Sequence, residues 1–192
     1  WRIGVMDIQT GTKDSIYASN YMVAALQRQV FSRSSISAFL VNKEVTGETN
    51  EDSGAERFNR IGGLEYNLSS PDNKWTGKAF YHQDIHDGAS INDAAMAANL
   101  KYSSQYLAAS LNQIIVGKDF NAETGFIRRK GYYQIAPKIG YKFFPNSSKI
   151  ANNGPGIETD MYFDPARSFS ITDRETEISY NIEWLNRNVF SL

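Results

Sequence analysis

Alternation of apolar and polar side chains, repeated along this chain, constrains its fold more than any other feature. In "ETEISYNIEW", Ile178, Tyr180, Ile182 and Trp184 fall on one side and Glu177, Ser179, Asn181 and Glu183 on the other. Side chains of an extended strand point alternately to opposite faces, so the segment reads as a β-strand with one apolar and one polar face. The same period returns upstream. Ile36, Ala38 and Leu40 alternate with Ser35, Ser37 and Phe39, and Leu64, Tyr66 and Leu68 with Glu65 and Asn67. Trp75, Gly77, Ala79 and Tyr81 oppose Thr76, Lys78, Phe80 and His82. In "YYQIAPKIGYKFF", Pro137 cannot donate to a ladder and predicts a bulge or an edge.

This spacing predicts about ten strands, near 2–9, 20–30, 34–42, 59–68, 75–83, 94–102, 106–115, 131–144, 157–163 and 175–185. Many run to about 9 to 11 residues, longer than ordinary globular strands and suited to a tilted membrane crossing. The connections alternate in length. "TGTKDSIYAS", "KEVTGETNEDSGAERF", "DIHDGASIND" and "VGKDFNAETGFIRR" are long, whereas "FSR", "SSPDNK" and "SSQ" are short. In an up-and-down meander successive connections lie at opposite ends, so the alternation predicts long loops at one end and tight turns at the other, as in outer-membrane barrels. "PNSSKIANNGPG" fits only if the next strand begins near Lys149.

The expected fold is therefore all-β, an antiparallel up-and-down meander forming a transmembrane β-barrel or a segment of one. The whole span 1–192 reads as a single segment of a larger barrel domain. An incomplete barrel would expose two edge strands, an aggregation hazard. The chain opens at Trp1 without a basic-then-apolar leader, which reads as a processed or internal start.

Composition excludes several other classes. Lys and Arg nearly cancel Asp and Glu, 20 against 21, so nucleic acid is not expected as a partner. There is no cysteine, hence no disulfide or thiolate metal site. No stretch approaches the roughly 18 apolar residues of a membrane helix. The 11 Tyr, 11 Phe and 3 Trp suit strands, soluble or membrane-embedded.

The sharpest chemical constellation is "HQDIH", in which His82, Asp84 and His86 are the residue types of a two-histidine, one-carboxylate iron or zinc site. An extended strand would separate the two histidines by about 13 Å, too far to share one ion, so loop-edge polar residues are expected unless the segment curls. Asp84, Asp87, Asn92 and Asp93 form a calcium-like cluster without EF-hand spacing. Glu177 and Glu183 lie about 20 Å apart along a strand, too far for a glycosidase pair. No nucleophile elbow, phosphate-cradling loop or dinucleotide fingerprint is present, so neither an enzyme nor a cofactor is expected. In "GKDFNAETGFIRRK", Lys118, Asp119, Phe120, Arg128 and Arg129 suit a loop that contacts a ligand or folds into a lumen.

Three segments carry a resemblance: "IGVMDIQTGT" (Ile3 to Thr12), "NYMVAALQRQVFSRSSISAFLVNKE" (Asn20 to Glu44) and "VGKDFNAETGFIRRKGY" (Val116 to Tyr132). Together they resemble the C-terminal barrel domain of a family of Bacteroidota outer-membrane proteins that carry an N-terminal family-9 carbohydrate-binding-like domain. The resemblance implies a membrane β-barrel in the bacterial outer membrane and a glycan association residing in the parent protein. It brings no catalytic residues.

On this reading the apolar faces meet outer-membrane lipid, with Trp75, Tyr81, Tyr102, Tyr141 and Trp184 as interfacial aromatics. Glycan or other outer-membrane proteins are the further expected partners. Two other readings stay open on sequence: a soluble lectin-like all-β module using its long loops, and a metal-dependent enzyme at the H-x-D-x-H segment.

Overall fold

The computed structural model describes residues 1–13, 16–47, 57–86 and 89–192. Among them lie eleven strands: β1 (Arg2–Gln9), β2 (Ser19–Val30), β3 (Ser34–Val45), β4 (Phe58–Ser69), β5 (Trp75–Asp84), β6 (Ala94–Ser103), β7 (Leu107–Val116), β8 (Tyr132–Tyr141), β9 (Ile150–Asp164), β10 (Ser170–Trp184) and β11 (Val189–Ser191). They form one antiparallel sheet in which each strand neighbours the next in sequence. Two short 3-10 turns, Ile91–Asp93 and Pro165–Arg167, are the helical elements of the described residues. None is long and apolar enough to cross a membrane.

By contacts the chain divides into two compact units. The first comprises Trp1–Asn67, Ala79–Met96 and Val116–Gly131; the second comprises Leu68–Lys78, Ala97–Ile115 and Tyr132–Leu192.

In the first unit the ladder sorts side chains as the alternation predicts. Val5 pairs with Ala24, Ala24 with Leu40, Leu26 with Ala38 and Ala38 with Leu64, which places all of them on one face with Ile3 and Ile36. The opposite face carries Ala25–Phe39–Gly63, Val23–Val41–Ile61 and Gln27–Ser37–Glu65 in register. The Leu64 face is exposed, with Ile3, Val5, Leu26, Ile36 and Leu64 all open. A small apolar cluster of Ile61, Ala95 and Phe120, with Phe39, Val41, Val116, Ala122 and Ile127 packed around it, sits on the Phe39 face.

In the second unit Ile139, Ile157 and Ile178 stand side by side across β8, β9 and β10. Lys138, Glu158 and Glu177 stand side by side on the other face, and Lys138 Nζ donates to Glu158 Oε2 at 2.5 Å. Two 15-residue strands, β9 and β10, are longer than the alternation predicted, and they absorb "NNGPG" and "SITDR". The reason is a pair of bulges: the β9–β10 register shifts between Ile171 and Asp173 and again between Glu183 and Trp184. Each shift resets which parity faces which side, so polar and apolar sets stay sorted where strict alternation has stopped.

Two expectations about connections resolve here. β9 begins at Ile150, next to Lys149, and an additional bridge joins Phe143 to Asn153, so the connection after β8 is shorter than "PNSSKIANNGPG" suggests. The gap left between the strands predicted at 157–163 and 175–185 contracts to Pro165–Phe169, so the long-short alternation ends at β8. Pro137 does interrupt the β8–β9 ladder, but pairing resumes at Lys138–Glu158 in the register it had at Ile135–Met161. The proline therefore removes a hydrogen bond without producing a bulge, and β8 has a neighbour on each side.

Candidate functional site

The end of β5 and the loop after β7 place most of the chemically interesting side chains of the first unit. His82 lies on the Phe39 face near the end of β5. Its ring stacks on Phe80, with centroids 4.4 Å apart, and meets the edge of Phe39 at 4.9 Å. Its Nε2 lies 3.2 Å from Glu65 Oε1 on β4. Room for this arrangement comes from Gly63, where a Cβ would collide with both the Phe39 and His82 rings.

His86 goes elsewhere. It lies beyond the strand, with Nε2 3.3 Å from Asp93 Oδ1. Asp93 is buried and closes a capping box with Ser90, whose backbone N–H and hydroxyl donate to Oδ2 at 2.8 and 2.9 Å. Those donors, led by the Ser90 backbone N–H, hold the Asp93 carboxyl below the ordinary carboxylate value, with a smaller contribution from His86 and against the opposing effect of burial. The Gln83 amide ties the loop together, donating to the carbonyls of Asp84, Ser90 and Asp93 at 2.9, 3.2 and 3.1 Å.

His82, Asp84 and His86 thus divide between two arrangements: His82 with Glu65 and aromatic rings, and Asp84 and His86 lining one cavity with Asp93. Among the described residues no group of three His, Asp or Glu side chains could hold a metal ion. Asp87 lies outside the described residues, and Asn92 contributes its backbone carbonyl, accepting from Asp119 N at 3.0 Å.

The loop from Gly117 to Gly131 folds back onto the Phe39 face. Phe120 is 6% exposed and packs with Ile61 and Ala95. Asn59 of β4 clamps the loop at two points, its Nδ2 donating to Asn121 O at 2.8 Å and its Oδ1 accepting from Glu123 N at 3.1 Å. Lys43 of β3 forms an ion pair with Glu123. Gly117 N donates to Ala94 O, and Gly131 N donates to Val116 O, which pins the two ends. Lys118 and Asp119 form an open ion pair at 3.6 Å, while Arg128 and Arg129 are exposed.

The five sequence-selected loop residues therefore separate: Phe120 inward, Lys118, Arg128 and Arg129 outward, and Asp119 at the rim of a cavity. That cavity, of about 560 Å³, is lined by Arg57, Phe58, Asp84, His86, Asp93, Asp119 and Asn121. Sequence reasoning missed Asn59 and Lys43. Asn59 carries a usable signal, because it shares the strand parity of Ile61 and Gly63 and so faces whatever covers that side.

In the second unit, Trp75, Tyr102, Tyr141 and Trp184 stand at strand ends bordering the turns Ser70–Lys74, Ser104–Tyr106, Lys142–Lys149 and Leu185–Asn188. Trp75 and Tyr102 pack at 4.8 Å, and Tyr141 meets Phe143 at 4.9 Å. Tyr81 belongs to the first unit, well inside β5, and donates its hydroxyl hydrogen to Gln83 Oε1 at 2.5 Å.

These features define an all-β antiparallel meander with a long loop strapped to one face of its sheet. No protein-family model, curated protein or solved structure matches the chain.

Proposed function

We propose that this chain is a membrane-spanning stretch of a bacterial outer-membrane β-barrel, serving as anchor or pore for a parent protein with a role in glycan or surface-polymer handling. One observation carries the reading. The apolar faces of the ladder are open, including Ile3, Val5 and Leu64 in the first unit and Ile139, Ile157 and Ile178 in the second. Contiguous apolar surface on this scale marks contact with another protein or with a membrane. Residues of opposite parity, including Glu65, Lys138, Glu158 and Glu177, supply the polar face that a lumen requires.

Strand length supports the same reading. Strands β2 to β10 run from 10 to 15 residues, and a tilted crossing of the hydrocarbon layer needs about 9 to 11. Turn-bordering aromatics in the second unit suit the headgroup level, where amphipathic rings are favoured. The barrel would hold its backbone polar groups in ladders, leaving side chains to meet lipid on one face and water on the other.

The test is fractionation of the full-length protein with outer membranes and heat-modifiable migration on a detergent gel, together with spin labels on the two faces. Labels at Leu64, Leu111 and Ile182 should report lipid, and labels at Asn67, Asn112 and Asn181 should report water. A protein that remains soluble without detergent, or labels with no difference between faces, would overturn the reading.

A further inference from the structure

We propose that Gly117–Gly131 is a plug that closes the passage bounded by the Phe39 face and opens it when the loop swings away about its two glycine ends. The inference rests on the barrel reading above, in which this face looks into the lumen. It goes further by assigning a resting state and the residues that maintain it.

A loop of this length ordinarily runs over the surface with its backbone solvated. This one is seated selectively. Its two phenylalanines have opposite fates, Phe120 being 6% exposed and Phe126 90%. Phe120 inserts where Phe39, Val41 and Ile61 have gathered on a face that also carries Glu65, Ser37, Gln27 and Asn59. A water-filled lumen gives no reason for an apolar patch there unless something covers it, and this loop is what covers it.

The remaining attachments are directional and come from two strands and the 3-10 turn ahead of β6. Asn59, itself 4% exposed, satisfies both ends of its amide on the loop backbone. Lys43 on β3 pairs with Glu123, and the Asn92 carbonyl ahead of β6 receives Asp119 N–H. The loop's ends are built for a single closed unit. Gly117 passes so close to the Asn92 carbonyl that a Cβ would not fit, and Gly131 has φ +69 with its N–H bonded to Val116 O. Ends that close on one another let the intervening segment leave its seat as one body, as compact surface loops do.

The experiment uses the full-length protein reconstituted in phospholipid vesicles, with swelling in arabinose as the readout and heat-modifiable migration as the check of assembly. Wild type should swell slowly. Phe120→Ala and Asn59→Ala should each raise the rate on the order of tenfold, by shifting the loop toward its open population. Glu123→Lys should also raise it, and adding Lys43→Glu should restore slow swelling. This charge-swap pair decides the matter should Phe120→Ala fail to assemble. Assembled variants that swell no faster than wild type would overturn the plug and leave the barrel intact. Absence of wild type from membranes would overturn both.

Discussion

At the scale of single residues, the first unit depends on positions where one atom more or fewer changes the packing. Gly63 lies opposite Phe39 in the β3–β4 ladder, with the His82 ring also against it. Gly63→Ala should cost about 1 to 3 kcal/mol through overpacking. The check is the denaturant midpoint in detergent, and an unchanged midpoint would contradict the observed ring arrangement. Asp93 gives a prediction in pH. Its folded-state carboxyl titrates below the ordinary value of 3.8, so its contribution is complete above that value and is lost as pH falls through the depressed one. The difference in thermal midpoint between wild type and Asp93→Ala should therefore be full at neutral pH and shrink on acidification. A constant difference down to about pH 2 would show that the capping box does not depend on the ionised form. Asp72 behaves alike in the turn before β5, held low first by the Ser70 hydroxyl and then by Lys74 N–H.

At the scale of elements, β10 shows how a sheet keeps two faces apart. Ile178 is 75% exposed on the apolar face, while its neighbour Ser179 sits beside Gly156 on the polar one. Ile178→Lys should lower stability in lipid by about 2 to 4 kcal/mol if it lies near the midplane, whereas Ser179→Lys should be nearly neutral. Unfolding of the two variants in vesicles separates these outcomes, and equal effects would remove the assignment of faces. The polar side of the same pair of strands also carries a local conflict. Glu158 opposes Glu177 and Asp160 opposes Glu175. Lys138 answers Glu158, and the Gln134 amide donates to both Asp160 oxygens at 2.7 and 2.9 Å. Glu175 has like charge directly across the ladder, so Glu175→Gln should stabilise by about 0.2 to 1 kcal/mol. A lower midpoint for that variant would mean the carboxylate is engaged by a cation.

At the scale of the whole molecule, the decisive quantity is how little apolar surface the protein itself covers. Among the described residues the buried hydrophobics are Ile61, Ala94, Ala95 and Phe120, two of them alanines. On the barrel reading proposed above, lipid covers the large apolar side chains that a water-soluble domain of this length would bury. The tryptophans offer a depth gauge. In a Trp1→Phe background, fluorescence from Trp75 and Trp184 should be quenched more by lipids labelled near the headgroup than by lipids labelled at the chain ends. Absence of quenching at either depth would place those aromatics away from the membrane.

Much of this was legible in local sequence. The sorting of Leu64 from Glu65, or of Ile178 from Glu177, follows from a two-residue period that needs no knowledge of neighbours, because pleating alone sends successive side chains to opposite faces. The tight turn at Ser70–Lys74 was likewise visible in "SSPDNK", whose Asp72 accepts from Ser70 and Lys74. What escaped was set by long-range contact. Gly154, Pro155 and Gly156 look like a turn, yet β10 pairs with all three, because ladders override weak local preference. The shifts near Thr172 and Ala151 leave no periodic signal, since a bulge is a mismatch between two strands rather than a property of one. Phe120 and Phe126 are chemically identical in the chain, and tertiary contact decided which would be buried: Asn59, Lys43 and Ile61 lie far from the loop in sequence and are brought to it by the pairing of β3 with β4.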